Sequence, residues 1–232
     1  MLRNKICVVT GASSNIGRSV AIELSKTAQH IYLIGRNVNA LEETSDLISI
    51  NSCEATIVPL DLTKFDLIDE LGHSIYKKHQ RIDVFVSCAG MIRNLSPVTS
   101  IKPKDFMEII NLKLISNYRL LRSFHPLFLA SSKPRALIIS KNINHTASQY
   151  WGAYNTTMSA LNNLIRTYAN ENKRTNIKIN LFEPPLIESN FLNTTSPGED
   201  KKNLIELNKV VTRIISCLGE NIIETGEIFN FF

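Results

Sequence analysis

Cys7-Val8-Val9-Thr10-Gly11-Ala12-Ser13-Ser14-Asn15-Ile16-Gly17 is the stretch from which the fold can be read. Its apolar, β-branched start predicts a buried strand. The pattern breaks at Thr10-Gly11, crosses small polar residues, and resumes with helical spacing at Ile16, Val20, Ile22 and Leu24. A strand that turns through small residues into a helix gathers free backbone N–H groups and the positive end of the helix dipole at one point. That suits a pyrophosphate. The candidate contacts are Gly11, Ser13, Ser14, Asn15, Ile16 and Gly17. The glycines are expected because a Cβ would block the turn or hold a phosphate away. The spacing Gly-x5-Gly differs from the G-x-G-x-x-G fingerprint, and an ordinary strand–helix connection also fits, so the reading depends on the rest of the chain.

Strand-like and helix-like patterns alternate beyond this unit. Strands are expected near 5–10, 30–35, 55–60, 82–87, 135–140, 176–182 and 227–231. Helices are expected over 16–27, 38–50, 65–79, 104–130, 152–173 and 202–217. Such alternation predicts a parallel sheet wrapped by helices on both faces, with ligands at the carboxyl ends of the strands beside the first one. With 232 residues, 44% of them hydrophobic and 20% charged, the chain suits one α/β domain over 1–232. Asn193-Thr194-Thr195-Ser196-Pro197-Gly198-Glu199-Asp200 reads as a loop that could cover the pocket.

No apolar run reaches the ~18 residues of a membrane span. The first strand begins so early that no signal peptide is expected. Cys7, Cys53, Cys88 and Cys217 are widely spaced, which argues against structural zinc and suits a reducing, cytoplasmic setting. A net charge of +5 without clustered Lys/Arg and interleaved aromatics gives no nucleic-acid signature, but suits an anionic cofactor. His30, His73, His79, His125 and His145 show no metal spacing, and His145 alone is placed near the expected pocket.

Three further positions bear on the cofactor. The second strand ends Ile34-Gly35-Arg36-Asn37, where an NAD-binding fold of this kind would place an acid for the ribose 2′-hydroxyl. Arg36 offers donors to a 2′-phosphate instead, so NADP(H) is favoured over NAD(H), unless Arg36 is a plain surface residue. Asp61, followed by Leu62, could accept from an adenine amino group or cap the next helix. Ala89 and Gly90, after the fourth strand, would let a cofactor pass close to the backbone.

With these pieces placed, the chain resembles a short-chain dehydrogenase/reductase from end to end. The family's T-G-x-x-x-G-x-G loop corresponds to Thr10 through Gly17, with Asn15 at the middle glycine. Asn is the non-glycine residue that best tolerates positive φ. The family's N-N-A-G corresponds to Ser87-Cys88-Ala89-Gly90, and its T-G-x before the last strand to Thr225-Gly226-Glu227. Gly35-Arg36-Asn37 and Trp151-Gly152-Ala153-Tyr154 resemble an uncharacterised bacterial subgroup of the family. The resemblance implies a doubly wound sheet in the order 3-2-1-4-5-6-7. Asp61 and Leu62 would contact adenine, and Pro184 and Ile187 would contact the cofactor past the sixth strand. There the chain has Pro184-Pro185 where the family has Pro-Gly.

The resemblance also implies hydride transfer between a nicotinamide and a small-molecule carbonyl or alcohol. Tyr154 matches the proton-transferring tyrosine and Asn111 the helix asparagine that anchors a relay water. The family's lysine four residues after the tyrosine is Met158 here, and its serine thirteen residues before is Lys141, with Ser140 adjacent. Free Tyr has a pKa near 10, so work at pH 7 needs roughly 4 kcal/mol of charge stabilisation, which a thioether does not supply. Lys141 either supplies a cation from the end of the fifth strand or points to solvent. The expectation is an NADP(H)-linked oxidoreductase with weakened activity; the alternative is a cofactor-binding protein without catalysis. The stripe Phe106, Ile109, Ile110, Leu114, Ile115, Leu120, Leu121 and Phe124 is expected in the core, and the resemblance implies that part of it forms the subunit contacts of a homodimer or homotetramer.

Overall fold

The computed structural model describes residues 4–141 and 148–231. β1 (Lys5–Thr10) lies between β2 (Ala28–Gly35) and β4 (Val84–Ser87), and β3 (Glu54–Pro59) extends the sheet on the β2 side. β5 (Arg135–Ile139), β6 (Lys178–Glu183) and β7 (Ile228–Asn230) follow β4, giving seven parallel strands in the order β3-β2-β1-β4-β5-β6-β7. This is a Rossmann-type, doubly wound α/β domain.

Alternation along the strands builds two cores. Ile6 and Val8 face a layer made by α3 (Phe65–His79), α5 (Ser116–Leu129) and α6 (Gly152–Glu171). Cys7 and Val9 face α1 (Asn15–Ser25), α2 (Val38–Ser49) and α8 (Leu207–Ser216). Because both faces are covered, the strands read as continuous apolar runs. Asp83 ties the amino-terminal edge together: its buried carboxylate accepts from Ile6 N (2.8 Å), Arg81 Nε (3.0 Å) and the Ser131 hydroxyl.

The strands match their expected spans closely, whereas two helical expectations need correction. The single helix expected over 104–130 is α4 (Pro103–Ile110), a π-helical turn (Asn111–Ile115) and α5. The extra residue in that turn rotates α5 relative to the course of a continuous α-helix. Within the expected stripe, Ile109, Leu120, Leu121 and Phe124 are buried, whereas Phe106, Ile110, Leu114 and Ile115 are only partly so. Similarly, Asn193–Thr195 of the expected loop close a short helix, α7 (Asn190–Thr195), capped by Ser189. The helix expected from 202 begins at Leu207, after a separate 3₁₀ turn at Lys201–Asn203.

Candidate active site

β1 delivers the glycine turn to the carboxyl edge of the sheet. Gly11 has φ +65°, and a Cβ there would lie 2.7 Å from Ala89 N, so this turn and the one after β4 touch backbone to backbone. A Cβ on Gly17 would lie 2.2 Å from Gly11 O, which closes the turn onto α1. Ser14 caps α1, its hydroxyl accepting from Gly17 N and donating to Gly11 O. The N–H groups of Asn15 and Ile16, in the first turn, have no helix carbonyl to donate to, and no acidic side chain stands there. Such a turn fits an anion, the chemistry of a dinucleotide's phosphates.

Asn15 needs no glycine-like backbone, which corrects the expectation from its place in the loop. It is absent from the positive-φ residues and simply opens α1. Its side-chain amide instead donates to Glu188 O at 3.0 Å, fastening the loop to the segment after β6.

A cavity of about 820 Å³ starts at this turn. Ser13, Ser14, Asn15 and Ile16 line one end, Cys88 and Gly90 the middle, and Ser140, Lys141, Tyr154 and Glu183 the other end, with Pro184, Ile187 and Phe191 across from them. Gly11 and Gly17 lie beneath the turn as structural parts of it. Leu62 is buried in the core and Ala89 packs against it. Asn111 begins the π turn and lines neither this cavity nor the adjoining one of about 480 Å³ that shares Tyr154.

Arg36 and Asp61 sit outside the cavity, side by side at the β2 and β3 ends, where Leu60 N donates to Gly35 O at 2.9 Å. Arg36 is exposed. Burial alone would raise the Asp61 pKa. It is lowered overall because the Thr63 N–H and hydroxyl bond its carboxylate and Arg36 and Lys64 lie near. Asp61 therefore organises the turn before α3, while its other oxygen takes no part in those two bonds.

At the opposite end, Tyr154 rides on the first turn of α6 against Trp151 and Phe191, with ring centroids 5.7 and 5.4 Å away. Burial, and then the Glu183 carboxylate, push its pKa above the ordinary tyrosine value. Met158, one turn on, is fully buried in the core. Lys141 lies over the Trp151 ring at 4.1 Å from its centroid. Burial lowers its pKa, against the opposing effect of Glu183. Ser140, the serine nearest the expected position, spends its hydroxyl on Asn162 Oδ1, and its oxygen lies 3.9 Å from Met158 Sδ. Asn162 in turn donates to Lys141 O at 2.9 Å, so this trio fixes the end of β5.

One residue in the cavity wall escaped sequence reasoning. Lys113, in the π turn, is 4% exposed, runs its stem against Gly90, and donates from Nζ to Ile139 O at 2.9 Å. Burial lowers its pKa from 10.5 to about 8, while Cys88 opposes that shift. Burial likewise raises the Cys88 thiol to about 12. A lysine inside the apolar pattern 106–124 could have drawn attention, but nothing local shows where it points.

The histidines have structural explanations or lie elsewhere. His30 bonds Glu54 and Thr56, and His125 bonds the Tyr168 hydroxyl. His145 lies outside the described residues. No cluster of three or more metal-ligating side chains occurs among the described residues, and none of their helices is long and apolar enough to cross a membrane.

The family model for short chain dehydrogenases matches residues 5–200. The chain belongs to that family. An uncharacterized oxidoreductase of Staphylococcus epidermidis is 24% identical over 219 residues, spanning 94% of this chain and 93% of its own. A short chain dehydrogenase of Salmonella enterica superposes with a TM-score of 0.94 at 22% identity, over 99% of this chain and 96% of that one. Another, from Shigella flexneri and solved with NADP, gives 0.91 at 23% identity, over 99% and 98%. The family match places the chain among the short chain dehydrogenases, and the superpositions show that it has their fold.

Proposed function

We propose that this chain binds NADP(H) along the carboxyl edge of its sheet and catalyses slow hydride transfer to or from a small carbonyl or alcohol. The observation that carries this reading is a cavity lined both by the first turn of α1 and by Tyr154. Asn15 and Ile16 would hold phosphate through backbone N–H groups, and Gly90, Pro184 and Ile187 would flank the rest of the cofactor. Arg36, exposed at the end of β2, would take the 2′-phosphate, and Asp61 the adenine. The Shigella flexneri neighbour solved with NADP supports the same choice of cofactor. The bound nicotinamide would supply or accept the hydride. Tyr154 would donate or accept the proton at its hydroxyl, and Lys141, held on Trp151, would place positive charge at that end.

Slowness follows from the same residues. Glu183 and burial oppose ionisation of Tyr154, Met158 offers no charge, and the Ser140 hydroxyl is already committed to Asn162. These observations also favour a second reading, a protein that binds the cofactor without turning it over. The four unpaired cysteines suit a reducing, cytoplasmic setting.

Thermal shift with NADPH and NADH, followed by turnover over a panel of carbonyls, tests both readings. NADPH is expected to stabilise the protein more than NADH. Turnover is expected to be low in the wild type and to rise in the Met158→Lys/Lys141→Ser double variant. Binding without any turnover in the wild type selects the second reading. Absence of binding by either nucleotide rejects both.

A further inference from the structure

We propose that Lys113 is the cavity's ligand-binding cation, the residue that hydrogen-bonds the sugar hydroxyls of the cofactor's reactive half. The inference rests on the dinucleotide reading above and assigns one part of that site to one side chain.

An ammonium carries three N–H bonds, and a buried one is costly unless its donors and charge are met. Lys113 directs one at Ile139 O and is among the residues that line the cavity. The groups facing it do not neutralise it. Cys88, at the end of β4, is held protonated by burial, and Tyr154, on α6, has its ionisation suppressed. Lys141, at the end of β5, has the same sign, and Glu183, at the end of β6, stands with Lys141 and Tyr154.

Position then selects the ligand group. The phosphate end of the cavity is the first turn of α1, and the opposite end is Tyr154. Lys113 stands between them, against Gly90 and Ile139. A dinucleotide whose phosphate sits at one end and whose reactive ring reaches the other passes a ribose between them. Its two hydroxyls accept hydrogen bonds from an ammonium. On α6 the residue one turn after Tyr154 is Met158, which is buried in the core and supplies no cation there. The π turn makes the arrangement possible, since a continuous α-helix would carry residue 113 to a different angle.

The test compares two probes by calorimetric titration on the full chain: NADPH, and 2′,5′-ADP, which lacks the reactive half. Lys113→Met is expected to weaken NADPH binding roughly 10- to 100-fold and to leave 2′,5′-ADP within about 2-fold. In the wild type, the preference for NADPH over 2′,5′-ADP is expected to fall as pH rises from 7 to 9.5 and Lys113 loses its proton. This second measurement needs no variant. Unchanged NADPH binding in Lys113→Met, equal loss for both probes, or a preference that stays flat with pH overturns the assignment. Failure of the wild type to bind either probe overturns the dinucleotide reading and this assignment with it.

Discussion

Replacing Lys113 by Met should stabilise the free protein at neutral pH and lose that advantage in alkali. In the folded protein Lys113 takes up its proton only below about pH 8, whereas its ordinary value is 10.5. Between those values the unfolded chain binds more protons, so the wild type gains stability as pH rises through the window. Below it, the penalty for charging the buried amine is fully present. At 1.36 kcal/mol per pH unit, it amounts to about 3 kcal/mol at pH 7. Methionine removes that penalty but leaves Ile139 O without its donor, a loss of about 1–2 kcal/mol. The variant should therefore be more stable by about 1–2 kcal/mol at pH 7, or roughly 2–8 °C in Tm for a chain of this size. By pH 10 about 2.5 kcal/mol should have returned to the wild type, so the order of stability closes or reverses. Urea unfolding of both proteins at pH 7, 8.5 and 10 measures the difference, and groups that titrate alike in both cancel. Cys88, the nearest acid, titrates near 12, above the range used. A stability difference constant to about 0.5 kcal/mol from pH 7 to 10 would refute the reasoning.

Three other outcomes are expected from the geometry. Glu183→Gln should lower the pKa of Tyr154, because the carboxylate raises it at present; ultraviolet difference titration against Tyr154→Phe backgrounds would show an unmoved transition if the coupling is absent. Asp83→Ala should cost about 3 kcal/mol or more, since Ile6 N, Arg81 and Ser131 all lose a buried acceptor; a change under about 1 kcal/mol in chemical unfolding contradicts that account. Gly11→Ala combines a positive φ with a Cβ 2.7 Å from Ala89 N, so it should destabilise by about 2 kcal/mol or more and weaken nucleotide binding; wild-type melting and affinity would show that the two turns separate freely.

Much of the architecture could be read locally. The apolar strand runs, the helical spacings and the glycine turn at Thr10–Gly17 are governed by residues a few positions apart, and the resemblance they carry supplied the sheet order. Local pattern also placed Tyr154 at the start of a helix after β5, where it lines the cavity. It was weaker on helix interruptions. A π turn leaves the apolar periodicity of 104–130 almost unchanged while altering the direction of every side chain beyond it.

The chain by itself determined the order of strands and helices, the glycine turn between β1 and α1, and the absence of a lysine at position 158. Those depend on residue type and spacing. Only the tertiary structure decided what each polar group in the cavity touches. Asn15 reaches Glu188 O across 173 positions, Ser140 turns inward to Asn162, Lys141 rests on Trp151, and Asn111 lies outside the cavity that Lys113 enters. A side chain's direction and partners are set by elements brought together from distant parts of the chain, and one extra residue in a helical turn changes the direction in which its side chains point.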